Sequence, residues 1–275
     1  MDANYALGDL SQKHFTVISR MMYELCGLSL PENKMGMVKA RLLKRLRALG
    51  LNSFEQYLRF VRSDESGSEL TSMIDALTTN KTNFFREQAH FDFLRTTILP
   101  PLIAKNRRIR IWSAGCSSGE EPFSLAILLK EEVPDVNLRD VRMLATDISH
   151  RMLEIAREAV YEKDILGDIS PQFLNKYFTC VRTKPSRAYK VNHDVRSIVK
   201  LAWLNLIEDW PMVGPFNMIF CRNVMIYFDK PTRQRLIQRF WDILEPGGYL
   251  LVGHSESLTG SSHKFSYVQP AVYLK

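Results

Sequence analysis

The N-terminal part of the chain carries apolar residues at the three- and four-residue spacing of amphipathic helices. Polar residues fill the positions between them, and no strand-like alternation interrupts the pattern up to about residue 90. The segments with this spacing are FTVISRMMYELCGL, MVKARLLKRLRAL, SFEQYLRFVR and ELTSMIDALTTN. We therefore expect an all-helical domain over residues 1–90, followed by a linker to about residue 105.

From residue 106 the pattern changes to short apolar runs that alternate with helical segments. The expected strands are RIRIWSAG, VRMLATDIS, KLAWLNLI, FNMIFCRNVMIYF and YLLVGHSES, with SYVQPAVYLK as an edge hairpin. The expected helices are EEPFSLAILLKEEV, HRMLEIAREAVY and TRQRLIQRFWDIL, the last of which ends at the turn EPGG. This alternation predicts an α/β domain over residues 106–275, with a mostly parallel sheet and helices on both faces.

Residues from about 162 to 199 interrupt the alternation. FLNKYFTCVR and RAYKVN are typical of short strands, and TKPS between them is typical of a turn. We expect a small inserted antiparallel β subdomain here.

Composition narrows the class of protein. Apolar residues make up 45% of the chain and charged residues 24%, which is typical of a soluble globular protein. No apolar run approaches the roughly 20 residues that cross a bilayer, and the first residues lack the pattern of a secretory signal. The four cysteines form no CxxC pair and the six histidines no HExxH motif. We expect a cytoplasmic protein without membrane insertion and without a metal site.

The net charge of +7 is concentrated in one predicted helix. No acidic residue lies between Glu32 and Glu55, and Gly50 is expected to end the helix. The basic residues of this stretch are Lys34, Lys39, Arg41, Lys44, Arg45 and Arg47. They form either a solvated helix face or a docking surface for an acidic partner. No aromatic residue interrupts them and no RNA-binding motif is present, which argues against single-stranded RNA.

The stretch IWSAGCSSGEEPFSLAI, residues 111–127, joins a predicted strand to a predicted helix through a turn of small residues. It is not a phosphate-binding loop, because no Gly-Lys-Ser/Thr follows, and Gly115 and Gly119 do not fit GxGxxG. The two glutamates at the helix start suit the helix dipole, but they would repel a pyrophosphate. A positively charged ligand without phosphates, such as S-adenosylmethionine, fits better.

Asp147 ends the second predicted strand of the α/β region. A carboxylate at this position either accepts hydrogen bonds from ribose hydroxyls or caps the helix that follows. Both interpretations are open for this residue alone. Because the turn after the first strand lies at the same edge of the predicted sheet, the two features together favour a nucleoside site.

Five motifs in this order resemble the bacterial chemoreceptor glutamate methyltransferases, the CheR family. They are TTNKTNFFRE, IWSAGCSSGEEPFS, ATDIS, FNMIFCRNVMIYFDK and GHSES. The resemblance implies a Rossmann-like methyltransferase domain that uses S-adenosylmethionine, together with the helical domain and the β insertion. It also implies methylation of glutamate side chains on the cytoplasmic helical bundle of chemotaxis receptors. The products would be glutamate 5-O-methyl esters and S-adenosylhomocysteine, and the role would be sensory adaptation.

The resemblance also assigns roles to individual residues. Arg86 and Tyr227 are implied to orient the incoming carboxylate, although a tyrosine in this setting is more often a core residue. The implied cofactor-binding residues are Asn80, Thr82 and Arg86 at the methionyl part, Glu121 at the amino group, Asp147 at the ribose, Asn205 and Leu206 at the adenine, and Arg222 and Asn223 at the pocket border. The implied receptor-docking residues are Lys39, Arg41, Lys44, Arg45 and Arg47. No general base is expected, because a glutamate carboxylate is already ionised at pH 7.

One departure from the family and several alternatives stand beside this interpretation. Some members bind a receptor tail at the β insertion through a glycine-containing loop, whereas CVRTKPSRAYK has Pro185 and no glycine, which argues against tail binding. A methyltransferase acting on RNA or another acidic substrate, or a non-catalytic cofactor-binding regulator, would share the cofactor site. A nicotinamide dehydrogenase is disfavoured by the missing GxGxxG. We expect a monomer that does not bind nucleic acid.

Overall fold

The computed structural model describes residues 8–105, 108–167 and 169–275. They divide into a helical unit, which ends at Thr79 and also includes Tyr227–Asp229, and a sheet unit with the remaining residues from Asn80 onward. The division precedes the expected boundary near residue 90, because the segment after Asn80 belongs to the core of the sheet unit through Phe84. Within these ranges no helix combines the length and the apolar character needed to cross a bilayer.

The helices of the helical unit match the expected segments. They are α1 (Gln12–Cys26), α2 (Met35–Ala48), α3 (Phe54–Ser63) and α4 (Ser68–Leu77), with a 3₁₀ turn at Glu32–Lys34. α1 begins where the Ser11 hydroxyl accepts a hydrogen bond from the His14 N–H group, and it ends at Gly27 with φ of 72°. α2 ends beside Gly50, whose φ of 68° no longer permits the helix to continue. The predicted stop at Gly50 is therefore confirmed.

The apolar stripe of α2 forms part of the core of the helical unit. Val38, Leu42 and Leu46 are fully buried, as their helical spacing predicts. The same is true of Ile18 and Met22 on α1.

The expected linker is largely helical. It comprises α5 (Gln88–Phe93), a π-helical turn (Leu94–Ile98) and α6 (Leu99–Ala104). Phe91, Leu94 and Leu99 are buried in the core of the sheet unit. The segment is thus part of the packed fold.

The sheet unit alternates strands and helices. Its strands are β1 (Ile109–Ala114), β2 (Val141–Asp147), β3 (Val160–Glu162), β4 (Phe178–Arg182), β5 (Ala188–Val191), β6 (Val199–Trp203), β7 (Phe216–Cys221), β8 (Leu244–Val252), β9 (Ser266–Gln269) and β10 (Val272–Leu274). Its further helices are α7 (Glu120–Glu132), α8 (His150–Glu158), α9 (Pro171–Tyr177), α10 (His193–Arg196) and α11 (Lys230–Ile243), with a 3₁₀ turn at Val136–Leu138. A further 3₁₀ turn spans Met225–Tyr227.

The large sheet has the strand order β6-β2-β1-β7-β8-β10-β9. The first five strands are mutually parallel, and β9 and β10 form an antiparallel hairpin at the edge. The predicted α/β class, the mostly parallel sheet and the edge hairpin are confirmed. Because β1 pairs with β2 on one side and β7 on the other, the strand order reverses there, and ligands of open α/β sheets bind at such a point.

The β insertion forms a separate antiparallel sheet of order β3-β5-β4, which confirms the predicted subdomain. The sequence-based prediction was wrong for the first half of FLNKYFTCVR, which forms α9. Ser170 caps this helix by accepting a hydrogen bond from the Phe173 N–H group, and Pro171 occupies its first turn.

Three strands have different bounds from those expected. β7 ends at Cys221, because Asn223 has φ of 59° and a 3₁₀ turn follows. β6 ends at Trp203, and the residues after it form a loop. The expected turn EPGG lies inside β8, which ends at Val252 before the HSES residues.

Candidate functional site

The turn between β1 and α7 lies at the carboxyl end of the parallel strands. Gly115 and Cys116 donate their N–H groups to the Thr146 carbonyl oxygen over 2.8 and 2.9 Å. Gly115 has φ of 87°, and a Cβ atom there would lie 2.4 Å from Cγ2 of Val224. Only glycine fits at this position, because the Val224 side chain occupies the space that a Cβ atom would need.

Asp147 connects this turn to the start of α8. It is 7% exposed, and its Oδ2 accepts a hydrogen bond from the Ser117 N–H group over 2.7 Å. Its Oδ1 accepts from the Ser149 N–H group over 2.9 Å. The helix cap itself is Ser149, whose hydroxyl accepts from Met152, so the capping alternative for Asp147 is wrong.

The adjacent glutamates at the start of α7 have different surroundings. Glu120 is buried and accepts a hydrogen bond from the Ser118 hydroxyl over 2.7 Å, and burial raises its pKa above the ordinary 4.5. Glu121 accepts from the Ser113 hydroxyl over 2.6 Å and pairs with Arg222. Of these two glutamates, only Glu121 has a cationic partner among the described residues.

Arg222, just after β7, organises a buried ionic network. Its side chain is 2% exposed; Nη1 lies 2.9 Å from Oε2 of Glu121, and Nη2 lies 3.0 Å from Oε2 of Glu87. The guanidinium group also donates to the Arg86 carbonyl oxygen. Burial alone would raise the pKa of Glu87, but the charge and hydrogen bond of Arg222 lower it below its ordinary value. The charged residue that interrupts the β7 region thus has the polar environment that its burial requires.

Residues 80–87 are tied to the turn and to α7. The Ser117 hydroxyl donates to the Asn80 carbonyl oxygen over 2.9 Å, and the Phe85 N–H group donates to the Ser124 hydroxyl over 2.9 Å. Arg86 donates from Nη1 to the Lys81 carbonyl oxygen over 2.9 Å. Through these contacts the structure brings Asn80 and Arg86 together with Glu121, Asp147 and Arg222; Thr82 lies half-buried in the same segment.

Asn205, Leu206 and Asn223 follow two further strands at the same sheet edge. Asn205 is buried after β6 and donates to Oε1 of Glu208 over 2.8 Å. Leu206 is buried, and its carbonyl oxygen accepts from Nη1 of Arg239 over 2.8 Å. Asn223, after β7, donates its N–H group to Oε2 of Glu256 over 2.6 Å. All three lie at carboxyl ends of strands, and their contacts with a ligand remain a prediction.

Tyr227 belongs to the short segment that is grouped with the helical unit. It is half-buried, belongs to the helical unit, and its carbonyl oxygen accepts from the Ser29 N–H group over 2.9 Å. Its role in orienting a carboxylate therefore remains a prediction.

Two of the predicted docking residues hold the helical unit together. Arg41 donates from Nη1 to the carbonyl oxygens of Leu77 and Thr78 over 2.8 and 2.9 Å, which satisfies the end of α4. Arg45 pairs through Nε with Oε1 of the buried Glu69 over 3.0 Å.

The other three docking candidates face outward to different degrees. Lys39 is half-buried and pairs with Asp9 over 2.6 Å, whereas Lys44 and Arg47 are exposed. The basic helix is therefore not a uniform solvated face, and Lys44 and Arg47 are its available charges.

Sequence reasoning missed a cluster of potential ligand atoms. Glu87, His90 and His254 each offer one such atom, and these atoms all lie within 4.8 Å of one another. Burial, followed by the charge of Arg222, lowers the pKa of His90 to about 4. The available signals were the closeness of Glu87 and His90 in the sequence and the histidine of GHSES.

The comparisons with known proteins agree with this architecture. The family model described as "CheR methyltransferase, SAM binding domain" matches residues 80–274, and "CheR methyltransferase, all-alpha domain" matches residues 13–78. The chain is 40% identical to a probable chemotaxis protein methyltransferase of Rhizobium etli, over 92% of this chain and 96% of that protein. It is 38% identical to chemotaxis protein methyltransferases of Borreliella burgdorferi, over 97% and 95%, and of Escherichia coli, over 96% and 91%.

The parallel sheet has an acidic, glycine-containing turn at its carboxyl edge. Together with the match to the SAM-binding domain model, this places the chain in the class of Rossmann-like S-adenosylmethionine-dependent methyltransferases. Both of its units match the models of a single family, and the matches divide where the structure divides. The chain belongs to the CheR methyltransferase family, which confirms the resemblance stated above.

Proposed function

We propose that this protein transfers the methyl group of S-adenosylmethionine to glutamate side chains of chemotaxis receptors, for sensory adaptation. The observation that carries the proposal is the network at the sheet edge, where Arg222 joins Glu121 to residues 86 and 87 beside the turn held by Asp147. The names of the relatives, which are chemotaxis protein methyltransferases, support a methyl transfer that serves chemotaxis.

The residues at this edge fit the proposed cofactor. Glu121 places a carboxylate at this edge of the sheet, which suits a ligand with an amino group and a sulfonium. No lysine lies in the turn between β1 and α7 to hold a phosphate, which fits a cofactor without phosphate groups. In the proposal Glu121 binds the amino group, Asp147 the ribose, and Asn205 and Leu206 border the adenine. Asn80, Thr82, Arg86 and Asn223 complete the pocket.

The chemistry requires alignment more than proton transfer. Bound S-adenosylmethionine supplies an electrophilic methyl group, and the glutamate of the receptor is already an ionised nucleophile at pH 7. The protein has to hold the carboxylate in line and exclude water, and good alignment is worth roughly 7–11 kcal/mol of the barrier. We assign the orientation of the carboxylate to Arg86 and Tyr227 and no general base to any residue.

Receptor docking is assigned to the exposed charges of α2. Lys44 and Arg47 are available for a glutamate-rich helical bundle, whereas Arg41 and Arg45 already bind groups of the helical unit. We propose that the protein acts in the cytoplasm as a monomer, reaches receptor arrays through the receptor itself, and binds no receptor tail at the β insertion.

The reaction is tested with S-adenosylmethionine labelled on its methyl group and membranes that carry chemotaxis receptors. We expect label on the receptor that mild base releases as methanol, which identifies carboxyl methyl esters. Base-stable label, or label in RNA, would contradict the glutamate acceptor. Cofactor binding without transfer to any receptor would favour the non-catalytic regulator.

Docking is tested by reversing charge at the exposed positions only. The double variant Lys44→Glu with Arg47→Glu should methylate receptor at least about tenfold more slowly at low salt, with the difference shrinking as salt rises. Arg62→Glu, an exposed charge on α3, is the matched control and should change the rate less than about twofold. Equal rates for the double variant and the control would refute docking through α2.

A further inference from the structure

His90 is a buried histidine whose polar ring nitrogens take no part in the hydrogen bonds of the described residues. It is 0% exposed, and among the described residues neither of its ring nitrogens has a hydrogen-bond partner. A buried polar group without a partner lowers the stability of the folded state. Leucine or phenylalanine would fill such a position without that loss, and a group that binds the ring nitrogens would explain the histidine.

Two other side chains converge on His90. Its Nδ1 lies 3.5 Å from Oε2 of Glu87, and its ring centroid lies 5.1 Å from that of His254, with the rings 73° apart. The ligand atoms of the three residues all lie within 4.8 Å of one another. Two imidazoles and one carboxylate are a ligand set that zinc accepts, and three protein ligands leave one position open.

The backbone holds the carboxylate of Glu87 in this cluster. Glu87 has φ of 59°, a left-handed conformation that non-glycine residues rarely adopt, at the start of α5. Its Oε1 accepts from the His254 N–H group over 3.3 Å. Such support orients a ligating carboxylate. His254 is exposed and gives an ion access to the otherwise buried group.

Arg222 is the main charge opposing a cation at this place, because it lies 3.0 Å from Glu87. Its own charge is already balanced by Glu121 at 2.9 Å, so the carboxylate of Glu87 is the excess negative charge of the network. A second cation that binds beside Glu87 therefore lies near a guanidinium group whose positive charge Glu121 already balances.

We propose that Glu87, His90 and His254 form a binding site for one divalent transition-metal ion of the zinc type. The site lies beside the proposed cofactor pocket and shares Arg222 with it through Glu87, but it does not depend on the methyl-transfer reaction.

The test uses tag-free, full-length protein freed of metal by a chelator. The exposed Cys180 is replaced by serine in every sample to remove a competing thiol. Zn²⁺ binding is measured by calorimetry, and Co²⁺ binding by its visible absorption, which reports the ligand geometry. We expect one saturable site, with His254→Ala and Glu87→Gln each weakening it at least about tenfold.

The matched control is His193→Ala, which removes an exposed histidine elsewhere in the sheet unit and should leave the affinity unchanged. Because His254 is exposed, its variant is expected to fold, so the result does not depend on altering the buried His90. Absence of saturable binding, equal affinity of His254→Ala and the parent protein, or equal weakening by His193→Ala would overturn the proposal.

Discussion

Replacing Arg45 by alanine should destabilise the helical unit, although Arg45 belongs to a basic run that resembles a solvated surface. Glu69 is 3% exposed and accepts hydrogen bonds from Arg45 and from the Tyr57 hydroxyl, the latter over 2.9 Å. Arg45→Ala leaves this carboxylate with Tyr57 alone. Removing one partner of a buried ion pair costs about 3–5 kcal/mol. Because the Arg45 side chain is 30% exposed, solvent screens the pair, and we expect a loss of about 2–3 kcal/mol.

The loss is measured by urea unfolding of the full chain, followed by far-ultraviolet circular dichroism. The midpoint should fall while the dependence on urea concentration stays unchanged. Hydrogen exchange of peptides from α2, α3 and α4 locates the effect, because Arg45, Tyr57 and Glu69 lie on these three helices.

Two comparisons make the measurement specific. Lys44→Ala removes the neighbouring exposed charge and should change stability by less than about 0.5 kcal/mol. In a Glu69→Gln background, Arg45→Ala should cost clearly less than in the parent protein. If Arg45→Ala cost no more than Lys44→Ala, the assignment of Arg45 to a stabilising ion pair would be refuted, and Arg45 would return to the candidates for docking.

Three further changes test the site. Gly115→Ala places a Cβ atom 2.4 Å from Val224 Cγ2 at φ of 87°, so we expect a loss of about 1–3 kcal/mol in urea unfolding; an unchanged midpoint would contradict it. Asp147→Asn sets an amide group against backbone N–H groups such as that of Ser117, so calorimetry should show S-adenosylmethionine binding at least about tenfold more weakly, and an equal affinity would count against this role. Burial raises the pKa of Glu120, so just above pH 4.5 the folded state keeps a proton that the unfolded carboxyl has lost. The retained proton stabilises the folded state, and this contribution disappears as pH rises through the folded pKa. Glu120→Gln should therefore reduce the fall in unfolding free energy as pH rises above 4.5, and parallel pH curves for the two proteins would disprove this.

Local patterns predicted the elements and the edge of the sheet where the site lies. An apolar run followed by small residues and glutamates specifies a strand, a turn and a helix over a few residues, and this is how residues 109–132 fold. Asp147 could likewise be placed at a strand end from its neighbours alone. Its hydrogen bond to Ser117 could not, because it joins residues 30 positions apart.

The partners of Arg222 could not be predicted from the sequence, because they too are far from it along the chain. Glu121 precedes it by 101 residues and Glu87 by 135, so only the strand order brings them together. The basic helix α2 shows a second limit of prediction from sequence. Helical periodicity placed Arg45 away from the apolar stripe, but a long side chain reaches the buried Glu69 on another helix, which periodicity does not reveal.

The position of β7 beside β1 has a consequence for how the protein folds. Residues 109–158, which comprise β1, α7, β2 and α8, make contacts close in sequence, whereas β7 joins β1 from far along the chain, and the Arg110 N–H group donates to the Asn217 side chain across a separation of 107 residues. Closing so long a loop raises the entropic barrier, and such topologies fold slowly. The last step should be the docking of β7 with Arg222, so newly made chains acquire a competent ligand pocket later than they acquire most of their helices and strands.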